Sequence, residues 1–151
     1  MTSIRVFSRQ DIESGVLELM LRCNPGMSIA VISITDPDAP VADIVGRSDA
    51  MKVRRVQFHD VDLDIEERFG QYVAMTPEQA ENLVEFWREN MSVDLLAVHC
   101  EAGISRSAAV AAACAVLSGQ SDEEFFERPY IPNRHVYNLM LEVAGLTNKE
   151  E

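Results

Sequence analysis

The stretch His99-Cys100-Glu101-Ala102-Gly103-Ile104-Ser105-Arg106-Ser107 is the most informative part of this 151-residue chain. It sets a cysteine and an arginine at the two ends of a five-residue spacer containing glycine and serine. Ahead of it, Val93-Asp94-Leu95-Leu96-Ala97-Val98 is short and mostly apolar, as in strands buried in a parallel sheet. Behind it, Ser107 to Leu117 is rich in Ala and Val and lacks Gly and Pro, which predicts a buried helix ending before Gly119. A loop that closes into a helix N-terminus turns backbone N–H groups inward at the positive end of the helix dipole. That is a cradle for a tetrahedral oxyanion. Arg106 can hold two oxygens of such an ion in a bidentate fork. The same field favours the thiolate of Cys100, the nucleophilic form. In open α/β sheets ligands bind at the carboxyl ends of strands, where this loop falls.

The pattern His-Cys-x2-Gly-x2-Arg-Ser arises by chance in on the order of 10⁻⁵ of chains this long, with usual residue frequencies taken as independent. The plain alternative is a buried cysteine acting as a small hydrophobe beside a surface arginine. The stretch resembles the signature of the cysteine-dependent protein tyrosine phosphatases. Cys-Glu-Ala-Gly-Ile-Ser-Arg-Ser resembles the dual-specificity branch in particular. The resemblance implies a three-layer α/β domain, with a central, mostly parallel sheet flanked by helices and a helical C-terminal third. It implies a hydrolase of phosphomonoesters that needs neither metal nor cofactor. Its partners would be phosphorylated proteins, carrying phosphotyrosine and, more broadly, phosphoserine or phosphothreonine.

Site roles follow from the same resemblance. Cys100 would form a cysteinyl-phosphate. Glu101, Ala102, Gly103, Ile104, Ser105 and Arg106 would bind the phosphate. Ser107 would stabilise the departing thiolate, and His99 would order the loop by hydrogen bonding without acting as a base. Departure of a phenolate or alkoxide also needs a general acid, protonated when substrate arrives. The resemblance implies an upstream Asp, yet the usual distance falls on Gly70, and no Asp lies between Asp64 and Asp94. Asp60, Asp62 and Asp64 are the candidates. Asp60 is preferred because it directly follows a predicted strand, at the end of the sheet where the cysteine loop lies. Asn133, in Pro132-Asn133-Arg134, reads first as a helix N-cap and second as a residue approaching the site.

Composition narrows the classes. A 47% apolar chain of this length can build one core without disulfides, so residues 1–151 are expected to form one domain with a frayed tail at 147–151. No apolar run approaches about 18 residues, and Met1 to Arg9 has no apolar signal core, so neither a membrane span nor a secretory signal is expected. Three cysteines (Cys23, Cys100, Cys114) without CxxC spacing favour a reduced, cytoplasmic setting. With His59, His99 and His135 they form no recognisable zinc pattern. A net charge of −12 disfavours nucleic acid and anionic membranes as partners. A monomer is favoured. Local geometry can still bind an anion, since surface carboxylates are screened over about 8 Å.

Along the chain, strands are predicted over 4–7, 28–34 and 53–58. Ser8 with Asp11 predicts one helix running through Gly15 to about Leu21. Thr76-Pro77-Glu78-Gln79 is a helix start with an N-cap, Pro at N1 and Gln at N3. Ser121 with Glu124 predicts a short helix, and a last helix is expected over about 133–144, stopped by Gly145. The stretch 59–75 is long for a loop, a length associated with function. Two further functions share this loop chemistry or its shape. One is a phosphoinositide or RNA 5′-phosphatase, disfavoured because the spacer carries a Glu and no Lys or His. The other is a non-catalytic phosphate-binding module, disfavoured because Cys100 and Arg106 are both present.

Overall fold

Two strands, β2 (Ile29–Thr35) and β4 (Leu95–Cys100), are buried along their whole length. Their β-branched and apolar residues therefore mark the centre of the sheet. The computed structural model describes residues 2–45, 49–61 and 72–146. Strands β1 (Ser3–Ser8) and β3 (Met51–Gln57) flank the central pair in the order β1-β4-β2-β3, and every described pairing is parallel. Helices α1 (Arg9–Glu13) and α2 (Val16–Cys23) follow β1. Helix α3 (Pro77–Glu89) leads into β4, and α4 (Arg106–Leu117) leaves it. A 3-10 turn at Glu123–Phe126 and α5 (Arg134–Val143) complete the chain.

Alternation along the strands divides the core into two layers of contact. Ala30, Ile32, Ile34, Leu96, Val98 and Cys100 face α3, α4 and α5. Ile29, Val31, Leu95 and Ala97 face the other way, with Ile12 of α1 and Leu17 of α2. Helices on both faces make three layers, the expected class, with a sheet that is wholly parallel among the described residues. The segment after β1 therefore goes to one face and α4 after β4 to the other. Neighbouring strands whose connections part in this way open a crevice at their carboxyl ends.

Local chemistry explains most boundaries. Thr76 and Gln79 close a reciprocal capping box at the start of α3, as expected. Helix α4 is Ala-rich and buried nearly all round, because small side chains let it lie against the sheet and two other helices. The single helix expected from Ser8 to about Leu21 is instead two. Ser8 caps α1 by accepting from the Asp11 N–H, and Gly15, at φ +97°, breaks the run before α2 begins. The helix expected from Ser121 is a single 3-10 turn. No described helix is long and apolar enough to cross a membrane.

Trp87 of α3 is fully buried, and its indole N–H is shared between the Cys114 carbonyl (3.1 Å) and the Ser118 hydroxyl (2.9 Å) of the α4 end. Trp87→Ala is expected to destabilise the fold by about 3–5 kcal/mol. Chemical denaturation checks it; a loss under about 1 kcal/mol would mean the α3–α4 seam repacks around the gap.

Candidate active site

β4 ends at Cys100 and α4 begins at Arg106, so only residues 101–105 turn the chain from sheet to helix. Gly103 sits at φ +73°, and a Cβ there would lie 2.8 Å from the Phe7 carbonyl oxygen and 2.9 Å from the Ser8 nitrogen. Both the backbone angle and the contact with the end of β1 require glycine. The turn is anchored from outside. The Arg9 N–H donates to the Glu101 carbonyl (3.1 Å), Ile131 to Ile104 (3.0 Å) and Asn133 to Ser105 (3.2 Å). In a trans peptide the carbonyl and the following N–H point in opposite directions. The N–H groups of Ala102, Ser105 and Arg106 therefore point away from those outside partners, the disposition an anion cradle needs.

Cys100 is buried at the base of this loop, with Sγ 3.1 Å from the Ser107 hydroxyl. The Ser107 O–H can donate to the sulfur from the first turn of α4. Arg106 is only 5% exposed. Its Nη1 donates to Asp36 Oδ1 (2.8 Å) and to the Phe58 carbonyl (2.6 Å). Those two bonds use both hydrogens of that nitrogen. Among the described residues, Arg106 Nε is the buried side-chain nitrogen or oxygen left without a partner. A buried donor without an acceptor costs about 1–3 kcal/mol, so its presence points to a ligand that accepts from it.

His99 lies beneath the loop and faces α1. Its Nδ1 is 3.2 Å from the Cys100 carbonyl, which can only accept, so Nδ1 carries the proton. Nε2 then accepts from the Ser33 hydroxyl at 2.6 Å, across the β2–β4 pairing in which the two residues are register partners. Burial lowers the His99 pKa, with nearby Arg9 and Arg55 acting in the same direction; the Cys100 hydrogen bond and Glu101 oppose it less strongly. The ring is thus a neutral strut with both nitrogens occupied.

Asp60 is brought to the same place from the other side of the sheet's carboxyl edge. Its Oδ1 accepts from the Ser105 hydroxyl and from the Asn133 amide, both at 2.8 Å. Asp62 and Asp64 lie outside the described residues. Asn133 does both things considered for it. Its Oδ1 caps α5 by accepting from the Val136 N–H (3.0 Å), while its amide holds Asp60. One residue can do both because the side-chain amide has an acceptor at one corner and donors at the other.

Sequence reasoning missed three participants. Asp36 lies just past the predicted strand 28–34, Ser33 within it, and Arg9 at a predicted helix start. The available signal for Asp36 was its position directly after β2, the strand-end criterion that selects Asp60. Arg9 binds Glu13 and Glu101, each at 3.0 Å, so the carboxylate of the loop is paired with a cation. Cys114 is fully buried, which pushes its thiol pKa up and leaves it inert. No described group of three His, Cys, Asp or Glu side chains is arranged to hold a metal.

No family model and no curated protein sequence matches the chain. Solved structures do. The human tyrosine phosphatase-like serine/threonine/tyrosine-interacting protein aligns at TM-score 0.57 and 16% identity, over 95% of this chain and 92% of that one. Human DUSP28 aligns at 0.53 and 21% identity, over 96% and 93%. PTPMT1, solved in complex with PI(5)P, aligns at 0.55 and 14% identity, over 95% and 93%. The fold is therefore the one these three structures share.

The neutral His99 gives the fold a pH dependence of definite sign. Its folded value lies below its ordinary 6.5, so in that interval the unfolded chain binds a proton that the folded chain does not. The contribution is complete above about pH 6.5 and is lost as pH falls through the folded value. Thermal midpoints are expected to drop from about pH 7 to 5, more steeply in the parent than in His99→Asn. Equal slopes would show that His99 does not titrate on unfolding.

Proposed function

We propose that the chain hydrolyses protein phosphomonoesters, phosphotyrosine first and phosphoserine or phosphothreonine as the wider set, through a cysteinyl-phosphate on Cys100. The observation that carries this reading is the convergence of four groups on one loop. They are the Cys100 sulfur, the Ser107 hydroxyl 3.1 Å from it, the buried Arg106 with an unpartnered Nε, and Asp60 held at the loop rim.

In the first step the Cys100 thiolate attacks phosphorus and the bond from phosphorus to the ester oxygen breaks. Protonated Asp60 gives its proton to that oxygen, so an alcohol or phenol leaves. Loop N–H groups and Arg106 hold the three remaining phosphoryl oxygens as their charge redistributes. In the second step water attacks the cysteinyl-phosphate and its proton goes to the Asp60 carboxylate. The sulfur–phosphorus bond breaks and the Ser107 O–H stabilises the returning thiolate. Asp36 is the positioning residue for Arg106, since it fixes one end of the guanidinium while Nε remains for the anion.

A phosphoinositide substrate is the second reading, favoured by the likeness to PTPMT1 solved with PI(5)P. Against it, the spacer supplies no cation for further phosphates, and its Glu101 is paired with Arg9. The location proposed is cytoplasmic, on the grounds of the cysteine usage alone.

Cys100→Ser is expected to abolish hydrolysis of a small aryl phosphate, by at least about 10³-fold, while vanadate binding persists. Parent activity is expected to be unchanged in EDTA. Turnover by Cys100→Ser would overturn the mechanism. A panel of phosphotyrosine, phosphoserine, phosphothreonine and phosphoinositide substrates separates the two readings; a phosphoinositide preference would select the second. Asp36→Ala is expected to lower kcat/KM about tenfold or more, equivalent to about 1.4 kcal/mol of transition-state stabilisation. An unchanged kcat/KM would remove Asp36 from the site.

A further inference from the structure

His59 precedes Asp60, and every polar group it has is engaged. Its backbone N–H donates to the Val73 carbonyl at 2.7 Å, and its own carbonyl accepts from the Val61 N–H at 3.0 Å. That second bond closes a three-residue turn with Asp60 at its apex. In the ring, Nδ1 accepts from the Val73 N–H at 2.9 Å, so Nδ1 carries no proton and Nε2 does. Nε2–H points to Asp38 Oδ1 at 3.3 Å, and the Tyr72 ring packs edge-on at 5.1 Å.

Residue 73 is thus held twice by one side chain and its own backbone, across a gap of fourteen positions. This clasp joins the strand end that carries Asp60 to the segment entering α3. The His59 side chain is 13% exposed, whereas Asp38 is 81% exposed. A pair with so exposed a carboxylate contributes little. The bond to the Val73 N–H is the shorter of the two, 2.9 against 3.3 Å. Among the described residues, the Asp60 carboxylate accepts from Ser105 and Asn133 on the other side. Its reach toward the ester oxygen is then set by two supports: the Ser105–Asn133 dock in front and the His59–Val73 clasp behind.

We infer that His59 is a positioning residue for proton transfer by Asp60, acting through the Nδ1 bond to Val73 and never touching substrate. The inference rests on the proposed role of Asp60 as the acid. Misplacing an acid by a fraction of an ångström slows only the chemistry that needs its proton. A nitrophenolate leaves without help; an alkoxide or an unactivated phenolate does not.

The test compares kcat/KM for an activated aryl phosphate, p-nitrophenyl phosphate, with that for phenyl phosphate, a poorer leaving group. Asp60→Asn is expected to lose about 10²–10⁴ on phenyl phosphate and far less on the activated ester. His59→Leu is expected to show the same selectivity at about 10-fold, with the activated ester within about 3-fold of parent. His59→Asn keeps an acceptor near the Nδ1 position and is expected to restore the phenyl phosphate rate to within about 3-fold; His59→Gln, whose amide reaches past it, is not. Equal losses on both esters in His59→Leu, or no loss, overturn the inference while a selective Asp60→Asn leaves the acid in place. If Asp60→Asn is itself unselective, the acid assignment fails and the role of His59 falls with it. Should His59→Leu not fold, the asparagine–glutamine comparison decides, and equal phenyl phosphate rates in the two overturn the inference.

Discussion

A guanidinium at 5% exposure has to be neutralised and hydrogen-bonded, and Arg106 meets that requirement from the ends of other strands. Asp36 follows β2 and Phe58 follows β3, while Arg106 itself follows the loop at the end of β4. One side chain therefore ties the carboxyl ends of three strands together. β1 joins them through Gly103, whose missing Cβ lets the loop close on the Phe7–Ser8 backbone. The result is a loop whose shape is set before any ligand arrives.

The same economy governs the groups around the cysteine. His99 is neutral, with one nitrogen donating to the Cys100 carbonyl and the other accepting from Ser33, so it braces the loop without adding charge. Glu101 would repel an anion if left alone, and Arg9 takes it up. The chain carries a net charge of −12, yet the loop ends on a buried guanidinium whose Nε has no partner among the described residues. Surface charges are screened and act weakly at this range.

The upstream carboxylate shows how a spacing that departs from the expected one is accommodated. Asp60 is farther from Cys100 in sequence than the resemblance implies, but the carboxyl ends of parallel strands are neighbours whatever the length of chain between them. A carboxylate placed directly after β3 reaches the loop after β4, where Ser105 and Asn133 receive it. Asn133 connects that contact to the start of α5, so the C-terminal helix is fixed to the same centre.

Much of this was legible in the chain itself. The cysteine–arginine spacer, the apolar strand ahead of it and the alanine-rich helix behind it depend on neighbouring residues, and local patterns carry such information. So does the Thr76–Gln79 capping box. Gly15 was visible too, but the weight of its break in the first helix depends on the backbone angle it adopts. Ser33 and Arg9 were beyond sequence reasoning, and Asp36 carried only its strand-end position, because their importance comes from what lies across the sheet: His99, Arg106 and Glu101. The second task of Asn133 and the clasp made by His59 are of the same kind. Covalent order determined the cysteine–arginine loop; only parallel packing, which sets distant strand ends side by side, decided which residues surround it.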